Sequence, residues 1–252
     1  MALQGKTIFI PGGCGTVGTG LTRTFLQNGA RVAVSSRTQE RLDEFKKSMD
    51  QAFQSNIILI KEDVSTESGA KNALEAFIKQ GGVQHVVACM GAWWQGGSLT
   101  KQSVEEFDKA INDRARSHFI CAKIFLPYLA NIDGSTYTIT SGSATEHDWD
   151  IPDISLIIVA GGCVYGISQA AQTEFKDTKV AVNEVRIGMF IQPKLDKDLE
   201  KRSFEMHGYK LDIIGNDIIA DFMLNVLLAR AKGTIKINSR KELEEEKKKL
   251  KK

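Results

Sequence analysis

The sequence predicts an α/β fold, a doubly wound parallel sheet of seven strands with helices on both faces. Three observations predict it. Short Val- and Ile-rich runs alternate with longer amphipathic stretches, the order that parallel strands joined by crossover helices produce. Most of the runs are apolar throughout, as strands covered on both faces are. The first run ends in a glycine-rich turn, PGGCGTVG, placed where a helix would begin and point its free N–H groups at an anion.

The strands are KTIFI (6–10), RVAVS (31–35), NIILI (56–60), HVVACM (85–90), STYTIT (135–140), VAVNEVRI (180–187) and GTIKIN (233–238). Helical patterns fill the intervals over roughly 17–28, 38–50, 66–80, 103–131, 155–177 and 215–230. The stretch 189–214 has mixed character and is expected to form a mobile lid or substrate loop. Residues 1–240 are expected to form one dinucleotide-binding domain. Residues 241–252 are a charged tail, KELEEEKKKLKK, with Glu244 four before Lys248 and Glu245 four before Lys249. That spacing suits a solvated helix or a frayed end.

Bulk properties exclude several classes. The 252 residues are 42% hydrophobic, enough for one α/β domain. Thirty-three basic and 31 acidic residues leave a net charge of +2, no electrostatic case for a nucleic-acid partner. Cys14, Cys89, Cys121 and Cys163 show no C-x-x-C spacing and read as reduced cytoplasmic thiols rather than a disulfide frame or metal site. The start MALQGKTIFI lacks the layout of a signal peptide. The apolar runs fall short of the ~20 residues of a membrane span.

The glycine turn carries the first chemistry. Gly12, Gly13, Gly15 and Gly18 end strand one, with Val17 and Leu21 resuming the apolar pattern. Glycine there allows positive φ, lets the backbone approach a pyrophosphate, and seats the helix tightly on the sheet. Past strand two, an acidic residue would hold the ribose hydroxyls of NAD. The chain has Ser36, Arg37 and Thr38. Arg37 can make charge-assisted bonds to a 2′-phosphate and the hydroxyls can donate, which favours NADP(H) over NAD(H); the alternative is a plain surface arginine. Asp63 can accept from an adenine amino group or cap the following helix, with Ser65 and Thr66 competing for that cap.

At these residues the chain resembles the short-chain dehydrogenase/reductase superfamily, a Rossmann-type family, over residues 5–240. PGGCGTVG is similar to the family's T-G-x-x-G-x-x-G turn, with Pro11 in place of the threonine. Asp63 and Val64 match the adenine-contact dipeptide. Only Gly91 survives of the N-A-G motif, after Cys89 and Met90. TITSGSA matches the strand ending in the catalytic serine, here Ser141, and KVAVNEVRIG resembles the later R-V-N strand. The resemblance implies an NADP(H) site, hydride transfer on a small carbonyl or alcohol, and a homodimer or homotetramer built through helices 103–131 and 155–177. It also implies a tyrosine acid/base, a lysine that lowers its pKa, and an asparagine in the interface helix.

Most of that set is missing. The family's tyrosine lies roughly 26 residues before the R-V-N asparagine, a helix and a turn. Counting back from Asn183 reaches Ile157 and puts Gly161 at the lysine position; Arg114 takes the asparagine position. Tyr165 is 18 before Asn183 and is followed by Gln169, so it is the acid/base only on a register that requires compensating gaps. The favoured register packs it against the sheet or a neighbouring subunit. Gly161 and Gly162 in mid-helix call for a close approach, with helix packing favoured over a ligand. Trp93, Trp94, Arg114 and His147 are candidate pocket residues, beside the acids Glu146, Asp148 and Asp150. Three functions stay open: an oxidoreductase with an unconventional proton donor, a dinucleotide-binding sensor or scaffold without turnover, and a non-redox lyase or isomerase.

Overall fold

The structure, a computed structural model, describes residues 1–91, 93–146, 151, 153–193, 203–206 and 208–251. Its main sheet has seven strands: β1 (Thr7–Ile10), β2 (Arg31–Ser36), β3 (Ile57–Lys61), β4 (His85–Ala88), β5 (Thr136–Gly142), β6 (Ala181–Ile187) and β10 (Gly233–Ile237). Their order is β10-β6-β5-β4-β1-β2-β3, and every pairing is parallel. This is the doubly wound α/β sheet that the alternation predicted.

The period of two along each strand sorts side chains between two helix layers. Ile8 and Ile10 of β1 join a core with α1 (Thr16–Gln27), α2 (Gln39–Lys47) and α7 (Asn216–Leu228). Phe9, between them, faces α3 (Glu67–Lys79), α5 (Ser117–Leu129) and α6 (Ser155–Glu174). There it meets Phe77 and Phe125 at ring-centroid distances of 4.9 and 5.2 Å. Tyr137 and Ile139 of β5 and Val182 of β6 lie on that second face. Ser141, Glu184 and Arg186 continue the same alternation toward α6.

Four expectations change. The described residues of the 189–214 stretch are not a plain loop, and residues 194–202 and 207 lie outside the described residues. β7 (Phe190–Gln192), β8 (Ser203–Met206) and β9 (Tyr209–Gly215) form a second sheet in the order β7-β9-β8, and Phe190 stacks on Phe204 at 4.5 Å. The 103–131 helix is divided into α4 (Val104–Ala110), a π-helical turn (Ile111–Arg116) and α5; a π turn carries one extra residue and re-aims the side chains on it. The charged tail contains helix α8 (Arg240–Leu250), which is not solvated all round. Leu243 is 1% exposed in the α7 layer, Lys247 pairs with Asp221, and the ion pairs within α8 are Lys241–Glu245 and Lys249–Glu246. Leu243 docks the helix in the core, and Leu250 packs against the same core.

Finally, α6 is 20 residues long with a mean hydropathy of 1.3 over its most apolar window, enough to cross a membrane by length and composition. Its Leu156, Ile157, Ala160, Val164 and Ala171 are instead buried in the fold. In the sequence Ser, Gly and Gln interrupt its apolar run.

Candidate functional site

The glycine turn is a close-packed cradle. Gly12 has φ +80°, and a Cβ there would lie 2.2 Å from the Cys89 carbonyl oxygen. A Cβ on Gly13 would strike Val34 Cγ1 at 2.4 Å, and one on Gly18 would strike Gly13 Cα at 2.5 Å. Gly15 differs: its nearest neighbour would be the Gly12 carbonyl oxygen at 3.3 Å. Gly15 is also the N-cap of α1, and no side chain caps that helix start. Its first-turn N–H groups are therefore free of side-chain acceptors, and Val17 stands among them. From the other side, Asn216 Nδ2 donates to the Thr16 carbonyl oxygen at 2.8 Å and fixes α1 against α7. A pyrophosphate fits this cradle.

Ser36 ends β2, and Arg37 and Thr38 are exposed beyond it. Thr38 caps α2 by accepting from the Arg41 N–H, leaving its hydroxyl proton available. Asp63 does not cap α3. Thr66 does, accepting from Gly69 N–H at 3.1 Å, while Asp63 Oδ1 accepts from the Ser65 N–H and hydroxyl at 3.0 and 2.6 Å. Val64 is buried beside it. Gly91, at φ +108°, lies under the Arg114 side chain; a Cβ there would meet Arg114 Nε at 3.0 Å. The π turn thus aims Arg114 at the carboxyl edge of β4.

At the end of β5 the polar side chains form a connected chain of hydrogen bonds and ion pairs. Ser141 Oγ donates to Glu184 Oε1 at 2.7 Å, and the Glu184 side chain is 0% exposed. Glu184 Oε2 accepts from Arg186 Nη2 at 2.9 Å. The other arm of Arg186 donates to Glu146, which also pairs with Lys236 at 2.9 Å. The Tyr165 ring lies 3.6 Å from the Arg186 guanidinium carbon, and its hydroxyl donates to the Gly142 carbonyl oxygen at 2.5 Å. Burial pushes the Tyr165 phenol up to about 12, although Arg186 pulls it down. Tyr165 packs against the sheet end, one residue past the serine, as a hydrogen-bond donor to backbone.

The pocket candidates divide. Trp94 packs with Ala144, Ile151, Ile154 and Ile157, whereas Trp93 is exposed. His147, Asp148 and Asp150 lie outside the described residues. At Gly161 the close approach within the chain is made by Thr145, from the turn after β5, whose Oγ1 would lie 2.8 Å from an ideal Cβ. Cys89 is pushed up to about 12 by burial, an inert thiol. Among the described residues no cluster of His, Cys, Asp or Glu could hold a metal.

Glu184, Arg186, Lys236 and His118 were not among the candidates the sequence suggested. The first two left a signal, because charges two apart in the otherwise apolar VAVNEVRI share one strand face. His118 left none. It is fully buried, its Nε2 lies 3.1 Å from the Met90 carbonyl oxygen, and burial lowers it to about 4.

A family model described as short chain dehydrogenase matches residues 6–203. The chain belongs to this family. Among its relatives, the uncharacterized oxidoreductase YxbG of Bacillus subtilis is 25% identical over 213 residues, covering 81% of this chain and 74% of that protein. A 12alpha-hydroxysteroid dehydrogenase from a Clostridium species is 23% identical, covering 72% of each. The solved structure of ElxO with NADP bound superposes with a TM-score of 0.75 at 20% identity, covering 92% of this chain and 96% of ElxO. A short-chain type dehydrogenase/reductase from Mycobacterium ulcerans reaches 0.78 at 18% identity, covering 96% and 91%. The family supplies a nicotinamide dinucleotide site and a small-molecule substrate.

Proposed function

We propose that this protein is an NADP(H)-dependent oxidoreductase of the short chain dehydrogenase family, acting on a small alcohol or carbonyl without the family's Tyr–Lys pair. One observation carries the cofactor choice: Arg37 stands exposed just past β2, flanked by two hydroxyls, on the strand next to β1, which leads into the uncapped α1. In this reading Gly12, Gly13, Gly15, Val17 and Gly18 cradle the pyrophosphate. Ser36, Arg37 and Thr38 hold the 2′-phosphate. Asp63 offers Oδ2 to the adenine, with Val64 beside it, and Gly91 lies along the ribose. The bound nicotinamide supplies the hydride donor or acceptor. Ser141 orients the substrate oxygen, and Arg114, Trp93, Trp94 and His147 surround the substrate. That ElxO is seen with NADP supports the cofactor assignment.

The same reading places the protein in a reducing cytoplasm, in keeping with four free cysteines, as a homodimer or homotetramer. The exposed Phe119 on α5 and Cys163 on α6 mark the faces that would meet. A second reading, cofactor binding without turnover, is favoured by the raised Tyr165 phenol, a poor proton donor and acceptor near neutrality.

Fluorescence titration of NADPH and NADH against wild type and Arg37→Ala tests the cofactor claim. NADPH should bind at least about tenfold more tightly than NADH, and the variant should lose that margin. Equal affinities, or none, would overturn it. A carbonyl panel with NADPH then separates turnover from binding alone.

A further inference from the structure

We propose that Glu184 is a positioning residue that fixes the polarity of Ser141, so that the site takes a hydroxyl-bearing ligand, an alcohol, in preference to a carbonyl. The inference rests on the reading that Ser141 faces the ligand.

A serine hydroxyl has one proton and two acceptor lone pairs. In this site the proton is spent. Ser141 Oγ donates to Glu184 Oε1 at 2.7 Å, and a buried carboxylate can only accept. Glu184 is itself held. Arg186 Nη2 fixes its other oxygen at 2.9 Å, Arg186 is pinned by Glu146 and by the Tyr165 ring, and Lys236 bonds Glu146 from β10. Tyr165 spends its own proton on the Gly142 carbonyl oxygen. Neither the serine nor the tyrosine has a proton left for a carbonyl oxygen. What Ser141, half-buried at the sheet edge, offers the cleft is a lone pair. A ligand O–H can donate to it; a ketone oxygen cannot. Turning the serine around would leave a buried carboxylate oxygen without its bond, which costs more than an ordinary hydrogen bond returns.

The charges around Glu184 also decide what a neutral replacement does. In Glu184→Gln the guanidinium of Arg186 demands an acceptor, so the amide oxygen turns to Arg186. The amide NH2 then faces Ser141 and donates to it, and the serine proton is released toward the cleft. The preference should switch from alcohol to carbonyl with no change in side-chain shape.

Cyclohexanol and cyclohexanone, close in size and shape, are the probes, titrated by ligand-observed NMR with and without saturating NADP+. Wild type should bind cyclohexanol about fivefold more tightly than cyclohexanone, the weight of one neutral hydrogen bond. Glu184→Gln should reverse the order, and Ser141→Ala should abolish the alcohol's advantage. Circular dichroism melting checks that each variant folds; if Glu184→Gln does not, Ser141→Ala decides alone. Equal binding of the probes by wild type, binding of neither, or an alcohol preference that survives Ser141→Ala overturns the inference. Loss of NADP+ binding would instead count against the functional reading, since the probe comparison stands without the cofactor.

Discussion

The Tyr165 hydroxyl donates to the carbonyl oxygen of Gly142, 2.5 Å away, one residue beyond Ser141. The side chain is near the expected reaction centre, yet its proton is committed to backbone and its ring to the Arg186 cation. Burial dominates its ionisation and holds the phenol at about 12. This follows from the fold: an activated phenol needs an adjacent cation with free charge, and Arg186 is neutralised by Glu184 and Glu146.

Tyr165→Phe should therefore leave NADPH affinity unchanged and cost about 1 kcal/mol of stability, the value of one partly buried hydrogen bond. The folded-state pKa is raised, so the stabilisation from the neutral phenol is present below the ordinary value of 10 and lost as pH rises toward 12. Alkaline unfolding followed by tyrosinate absorbance checks this. Wild type should lose stability over that window, and Tyr165→Phe should lose less. A phenol in the Tyr165 environment that ionises near neutrality would sink the assignment.

The glycines of the first turn should separate by role. Gly12→Ala puts a methyl on a left-handed backbone and 2.2 Å from a carbonyl oxygen; a cost of about 2 kcal/mol or more is expected. Gly15→Ala meets only one atom at 3.3 Å, at a φ of −85°, and should melt close to wild type. If the pyrophosphate lies where the cradle invites it, Gly15→Ala weakens NADPH binding while the fold stands. Differential scanning calorimetry alongside the fluorescence titration measures both.

Two buried histidines predict acid sensitivity. Burial lowers His85 to about 4, aided by Lys6 and Arg230. Burial likewise lowers His118 to about 4, with Arg114 contributing and the Met90 carbonyl opposing. For a depressed base, the unfolded chain takes up its proton near 6.5 while the folded chain does not. The stabilisation is present above about 6.5 and is lost as pH falls to about 4, on the order of 3 kcal/mol per residue at most. Urea unfolding at several pH values across that window should show the decline, and His118→Gln should reduce it. A flat profile would mean that neither imidazole is excluded from protonation.

The strands, the order of helices and the glycine turn were legible because each rests on local chemistry: Val and Ile runs, glycines where φ is positive or the backbone crowds. What stayed hidden depends on contacts distant in sequence. Glu184 and Ser141 are 43 residues apart and meet only because β5 and β6 are adjacent. β7 and β8 stayed hidden because they have three and four residues, too few for a periodicity to stand out. The π turn at Ile111–Arg116 has no propensity signature, yet it decides where Arg114 points. Asp63 and Thr66 both suited the α3 cap, and which one takes it is a matter of backbone geometry rather than residue type.

The proposed assembly through α5 and α6 can be read from one thiol. Burial pushes Cys89 and Cys121 up to about 12 and raises Cys14, whereas Cys163 is exposed on α6. Maleimide should therefore label Cys163 first, and peptide mapping would identify it. If two copies meet across α6, the labelling rate at Cys163 should fall as protein concentration rises through the association range, in step with the dimer fraction from sedimentation equilibrium. Labelling independent of concentration, in a chain that sediments as a dimer, would put the interface elsewhere. A chain that stays monomeric would remove it altogether, and the exposed Phe119 and Cys163 would then be ordinary surface.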